Sequence, residues 1–415
     1  MSVRAGEILH VAGNNVIDRI QSAGLGNVQV PIERILEVGN RETVDKVPGE
    51  PDFTFSLESL DVSVELLAFL SGRVSAAASG SASVAETVAD GTEFDWLDVA
   101  GRAINIASPW KDPSTGSAGV VEAGHLIPGY YVTRMAYRYG VTDNATQSVD
   151  LSGGAFFYGE FAPTEAFFTG DGATDDFVTP NNAVGYRKGG ADGTTFKSVF
   201  GVIVDGTLQT EDVDYTVTPT TVGAGARTVT FTNPPANGAD VRLCYFTNAA
   251  KAFPQTVHAS TLVKPGAVRG RNIKILVNGD RIGGVQSFEL DATCTGTLER
   301  EMGTEDVVGY TLTETNANGT ITIRAKDKDA FFTFLSEVTG VSRAEVFGWF
   351  NQNSVELEVL VENPKNPGQI LKTLYVNDAQ FQPPGTPARV NQATDFAITW
   401  ESKRGSFKEY KGERP

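Results

Sequence analysis

The sequence predicts a mainly β protein: two tandem β-sandwich or barrel-forming domains, each with one packed helix, plus a small all-β domain inserted between them. Three observations predict it. Forty-four glycines and 19 prolines punctuate 415 residues that are rich in Thr and Val and poor in long helical patterns. A series of element patterns that starts near residue 30 recurs near residue 285. The stretch between the two copies has a short-strand, tight-turn grammar of its own.

The first copy, residues 1–162, runs through Val28-Gln29 and Leu36-Glu37 into a turn-rich stretch. A strand pattern at Phe53 to Leu57 and the helical run from Asp61 to Gly72 follow. The second copy, residues 251–415, runs through Val285-Gln286, Leu298-Glu299, a turn-rich stretch, a strand at Thr320 to Arg324 and a helical run from Lys328 to Gly340. The apolar helix positions Leu66, Leu67, Phe69 and Leu70 recur 265 residues later as Phe331, Phe332, Phe334 and Leu335. That i, i+1, i+3, i+4 spacing is one face of a helix, and both sets are expected to pack on the sheet. Strands around Arg102 to Ser108, Tyr130 to Tyr139 and Ala155 to Tyr158 follow the first helix. Val355 to Val361, Thr373 to Val376 and Asp395 to Trp400 follow the second, and the period-two alternation of Val355 to Val361 marks a sheet with one wet face.

In the middle domain, residues 163–250, Val204-Asp205-Gly206-Thr207 reads as a hairpin, because Asp-Gly supplies the positive φ angles of a type I′ turn. Asn233 to Gly238 is a second turn cluster.

Composition excludes several functions. A net charge of −17 argues against gripping a nucleic-acid backbone, which needs Lys and Arg to neutralise phosphates. An acidic wall past which DNA slides remains compatible with that charge. Cys244 and Cys294 are too few for a disulfide scaffold or a thiolate metal site. The first residues lack the apolar core of a secretory signal, and no apolar run approaches the roughly 20 residues that span a bilayer, so synthesis in the cytoplasm and no membrane role are expected. His10, His125 and His258 stand far apart, and no phosphate loop, nucleophile elbow or paired-histidine zinc motif occurs. Asp171, Asp175 and Asp176 read as turn carboxylates rather than a Ca²⁺ loop, and Asp212 and Asp214 as backbone caps. No enzyme activity, metal or cofactor is expected.

Charge distribution points elsewhere. Residues 26–60 hold seven acids against three bases, and residues 283–324 seven against two. The shared bias suggests an acidic surface common to both copies. Lys403 to Arg414 alternates sign around Phe407 and Tyr410, and reads as an arm lying on a neighbouring subunit.

At these residues the chain resembles the tail tube proteins of tailed bacteriophages, of the type in which two tube domains are fused. The resemblance is carried by the strand from Val28 to Glu37, the helix ending Phe69-Leu70-Ser71, and their counterparts from Val285 through Phe334-Leu335-Ser336. It covers about four fifths of the chain. The middle segment resembles a β-domain common in phage tail and fibre proteins, with its TGDG start, VDGTLQ, DYTV and TFTNPPANGADV.

The resemblance implies a structural virion protein. Each domain of such a tube gives four strands to an inner barrel and six domains close the ring, so a two-domain chain forms a homotrimer with pseudo-sixfold symmetry. Twenty-four strands about 4.8 Å apart, tilted by about 40°, give a backbone diameter near 48 Å and a lumen of about 38 Å. Stacked rings would form the conduit for genome ejection. Glu33, Glu37, Glu42, Glu58, Glu289, Asp291, Glu299, Glu301 and Glu305 are the candidate acids of its lumen. Implied partners are further copies of the chain, tail tip or baseplate proteins, a tail terminator, the tape measure protein in the lumen, and passing DNA without specific binding. The middle domain would project outward, so that deleting residues 165–248 leaves tubes intact. The alternative is a phage or surface adhesin that binds glycans through the middle domain, with Phe167, Phe168, Tyr215 and Tyr245 as its aromatic platform.

Overall fold

The phenylalanine, leucine and valine residues that alternate along these strands need a second layer to cover them, and a computed structural model of the chain supplies it. It describes residues 11–12, 15–16, 20–25, 32–36, 43–48, 52–60, 64–71, 88–111, 121–187, 196–218, 225–250, 267–300, 307–324, 328–342, 354–382 and 395–415. Among them the chain is mainly β, in several antiparallel sheets, with two α-helices and no closed barrel.

The first half contributes β1 (Ile20–Leu25), β2 (Phe53–Leu60), α1 (Glu65–Leu70), β3 (Ala103–Lys111), β4 (Val121–Gly140) and β5 (Thr146–Gly153). The second contributes β6 (Val285–Arg300), β7 (Val307–Arg324), α2 (Lys328–Thr339), β8 (Val355–Glu362), β9 (Ile370–Phe381) and β10 (Asp395–Ser402). The halves share one order of pairing. In the first it is β1–β2–β5–β4–β3, and in the second β6–β7–β10–β9–β8, all antiparallel. In each, two strands lead into a helix and a three-strand meander returns to the second of them.

The halves merge into one 17-stranded sheet system with one hydrophobic cluster. One seam pairs β4 with β6, from Ser287↔Gly140 to Thr293↔Arg134. At another, the last strand, β11 (Lys408–Lys411), bridges β9 and the first-half strand Glu93–Asp95. This corrects the expectation of an arm lying on a neighbouring subunit: Phe407 and Tyr410 are buried in the chain's own sheet. Burying both aromatic rings favours that route, and it places Lys372 and Glu409, both fully buried, 3.2 Å apart. The Tyr137 hydroxyl donates to Glu409 at 2.5 Å and the Lys372 ammonium lies 4.6 Å from the Tyr137 ring centre, so β4, β9 and β11 share one polar knot.

Leu66, Leu67, Phe69 and Leu70 of α1 are all buried. On α2 the packed face is Phe334, Leu335 and Val338, with Phe334 edge-on to Phe381 of β9 at 5.0 Å. Phe332, expected on that face, is 40% exposed. It stands two residues from Phe334, about 200° around a helix that turns about 100° per residue, and so falls on the far side. The side chain of Phe331 lies outside the described residues. Gly340 (φ 67°) takes the left-handed turn that ends α2.

The middle stretch makes separate sheets. Strand Ala162–Thr169 pairs along its whole length with Asp240–Thr247, which also pairs with Gly201–Val204. Its own core includes Phe177, Tyr215, Phe231 and Tyr245. Asp205 (φ 49°) and Gly206 (φ 80°) close the Val204↔Thr207 hairpin with both φ positive. The unit sits on the β3–β4 hairpin. Phe200, Cys244 and Phe246 pack on Ala107 and Leu126, while Ile203 and Leu208 pack with Ala103 and Tyr131. Within that contact the buried Asn105 amide donates to Glu165 at 2.9 Å, and Ala103 donates its N–H to the Gly206 carbonyl at 2.8 Å.

Candidate functional site

Strand register determines which side chains share a face, because successive residues point to opposite sides. One rung crosses eight strands: Ser22, Glu58, Ser148, Ala136, Asp291, Asn318, Glu401 and Gln380, on β1, β2, β5, β4, β6, β7, β10 and β9. The next rung on one side runs Gly24, Ser56, Asp150, Arg134, Thr293 and Asn316, and on the other Leu60, Thr146, Arg138, Glu289, Thr320 and Thr399. Between these rungs lie the inward residues, such as Leu57, Val149, Met135, Ala292 and Ala317, all buried. The sheet therefore has one apolar face under the helices and one continuous polar face that runs through both halves.

Ser, Thr and Asn dominate the polar face. Its charged groups on the rungs named are Glu58, Asp150, Glu289, Asp291 and Glu401 against Arg134 and Arg138, so its sign is acidic. At the seam, Arg134 bonds Asp291 through Nε at 2.8 Å and Nη2 at 2.5 Å, and reaches Asp150 through Nη1 at 3.3 Å. The Asp291 hydrogen bonds, with Asp150 behind them, push the Arg134 pKa above its ordinary value, so this cation stays charged at any working pH. Further along, Arg324 of β7 pairs with Asp395 of β10 at 3.1 Å.

The candidate acids divide. Glu58, Glu289 and Asp291 share the polar face. Glu299 lies near the far end of β6, exposed, beyond the bulge at Thr295/Gly296, and accepts from Thr311. Glu33 lies on a ribbon of Ile32–Leu36 and Thr43–Pro48 that forms its own two-stranded sheet. The strand that precedes Phe53–Leu60 in the chain and pairs with it is thus Ile20–Leu25, upstream of the Val28 to Glu37 stretch expected in that place. Pairing with the alternating run Phe53–Leu60 selects Ile20–Leu25, whose Ala23 opposes Leu57 on the core side. Glu37, Glu42, Glu301 and Glu305 lie outside the described residues. Sequence reasoning missed Arg134, Asp150 and Glu401. The alternation of Thr146–Gly153, apolar at Val149 and Leu151, is the signal that places Asp150 outward.

Elsewhere the carboxylates serve the backbone. Asp171 accepts from the Thr174 N–H at 2.6 Å, the Thr174 hydroxyl at 2.7 Å and the Ala173 N–H at 2.9 Å, which lowers its pKa to about 2. Asp214 accepts from the Thr210 N–H at 2.8 Å. No cluster of metal-binding side chains occurs among the described residues. Of the four candidate platform aromatics, Tyr215 and Tyr245 are core residues, and Phe167 lies under the Arg242 guanidinium at 5.3 Å. Cys244 and Cys294 are both free thiols whose pKa burial pushes up, so neither is poised as a nucleophile. Set against known proteins, the chain matches no family model and no curated sequence.

Proposed function

We propose that this chain is the tail tube subunit of a tailed bacteriophage, a structural virion protein made in the host cytoplasm and built from two fused tube domains. The observation that carries the reading is the polar rung across eight strands, four from each half, with the same pairing order in both halves. Three chains then supply the 24 strands of a pseudo-hexameric ring, and the polar face becomes its lumen. Ser, Thr and Asn keep that wall hydrated, and the excess of carboxylates repels phosphates, so DNA passes without adhering. β1 is paired only with β2 among the described strands, which leaves an edge for the neighbouring subunit. The tape measure protein before ejection, and tip, baseplate and terminator proteins at the two ends, complete the partners this reading requires. No chemistry, cofactor or membrane enters it.

The test is the mass of the purified protein in solution combined with electron microscopy. Three-chain rings, single or stacked, with a hollow centre of about 38 Å are expected. Elongated monomers at high concentration that bind glycans would overturn the reading in favour of the adhesin.

A further inference from the structure

One cavity reverses the sign of the chain. About 330 Å³ in volume, it lies between the end of β4, the strand Ile273–Val277 and the start of β6. Arg271, Lys274 and Arg281 line it and no carboxylate does, in a chain of net charge −17. Tyr139 and Phe288, buried and stacked with ring centres 5.8 Å apart, line it together with Ile275 and Ile282. Its floor therefore belongs to the apolar side of the seam and not to the polar face.

A fixed piece of backbone sets each cation. Arg271 sits in a single 3₁₀ turn, Gly270–Asn272, that closes tightly on the end of β4. A Cβ on Gly270 would lie 2.6 Å from the Val141 Cα and 2.7 Å from the Gly140 carbonyl oxygen, so only glycine lets the turn approach. Arg281 follows the Asn278-Gly279 turn, whose two positive φ angles (49° and 86°) close a hairpin that pairs Arg281 with Leu276. Lys274, between them in sequence, is tied to Glu362 of β8. Arg271 and Arg281 are exposed and have no ion pair among the described residues. Asp280 is next to Arg281 in sequence but on the opposite face of the strand. There it meets Glu337 of α2, a carboxyl group of like charge.

We infer that this cavity binds a phosphate group, either free phosphate or the phosphate end of a small phosphomonoester. The inference does not depend on the tube reading. Arg271 and Arg281 each present parallel N–H donors that match two oxygens of a tetrahedral oxyanion, and Lys274 adds a point charge. A volume near the lower end of small-molecule sites admits a phosphate with a compact organic group, and Ile275, Ile282 and Phe288 favour an apolar one. The overall charge repels anions at long range, so recognition falls to these short contacts and weakens as salt rises.

The test is calorimetric titration of the full chain with inorganic phosphate and, separately, with phenyl phosphate, at fixed ionic strength. Saturation at one site per chain is expected, with Arg271→Ala and Arg281→Ala each weakening it about tenfold or more and Arg271→Lys by less. Tighter binding of phenyl phosphate would uphold the site as one for a phosphomonoester, and equal binding would uphold it as one for free phosphate. Both arginines are exposed, so the variants are expected to fold, and the wild-type titration can overturn the inference without them. No saturation by either probe up to about 10 mM, or saturation that combining Arg271→Ala with Arg281→Ala leaves unchanged, would overturn it while leaving the tube reading standing.

Discussion

Arg134 holds Asp291 in a two-pronged grip across the seam of β4 and β6, joining residues 157 positions apart in the chain. The same guanidinium reaches Asp150 on β5, so one cation serves two carboxylates of the polar face. Each partner is about a third exposed, which limits the energy. Arg134→Ala is expected to cost about 1–2 kcal/mol, because it leaves two carboxylates facing each other as well as removing charge-assisted bonds. A double-mutant cycle with Asp291→Asn, read by denaturant unfolding, is expected to return a coupling of about 1 kcal/mol.

The Lys372–Glu409 pair is a different case, since both side chains are fully buried. Lys372→Met alone leaves the buried Glu409 carboxylate without its cation, with the Tyr137 hydroxyl still donating to it. A loss of about 3–5 kcal/mol is expected in urea unfolding, and combining it with Glu409→Leu should recover most of that loss.

Gly319 of β7 has no room for a side chain. An added Cβ would lie 1.9 Å from the Glu289 carbonyl oxygen and 2.7 Å from the Trp400 ring. The oxygen belongs to the paired strand β6 and cannot retreat without breaking the ladder. Gly319→Ala is therefore expected to destabilise by about 2 kcal/mol or more, measured as a lower Tm and a lower denaturant midpoint.

Deleting the middle unit looks harmless when it is taken for an appendage. Its docking changes that expectation, because Ala107, Leu126 and Tyr131 are buried against Phe200, Phe246, Ile203 and neighbours. Loss of residues 165–248 uncovers this surface and removes the Glu165 partner of buried Asn105. The truncated chain is expected to aggregate or to require detergent. Soluble, ring-forming truncated protein in sedimentation would contradict the docking.

Protonation of Asp171 offers a local pH probe. Its pKa is lowered from 3.8 to about 2, first by the Thr174 N–H, so the turn's stabilisation is fully present above pH 3.8 and is lost as pH falls through about 2. The Thr174 amide resonance is expected to titrate with that midpoint, and Asp171→Asn should abolish the titration.

How far this was readable from the chain depends on the range of each signal. The alternation of Val355 to Val361, the Asp205-Gly206 turn and the second helix are local patterns, and each appears where its residues place it, while the first helix spans Glu65–Leu70 within the longer run from Asp61 to Gly72. Phe332 misled because the 3.6-residue period admits several faces, and only contact with β9 selects Phe334 and Leu335. The lead strand misled for a related reason. Ile32–Leu36 and Ile20–Leu25 are comparable in isolation, and pairing with Phe53–Leu60 decides between them. The polar rung has no local signature: Asp150, Arg134 and Asp291 become neighbours only through the registers of three strands. β7 runs through Thr, Asn and Gly residues that read as loop, and it stays extended because β6 and β10 flank it.

The central claim is that the polar face of the eight-strand path lines a channel. Cryo-electron microscopy of the assembled protein, at a resolution that traces β6, tests it most directly. Rings of three chains with Glu58, Glu289 and Asp291 facing a hollow axis, and α1 and α2 outside the strands, are the expected result. Assemblies in which Asp291 faces outward or is covered by another subunit would contradict it.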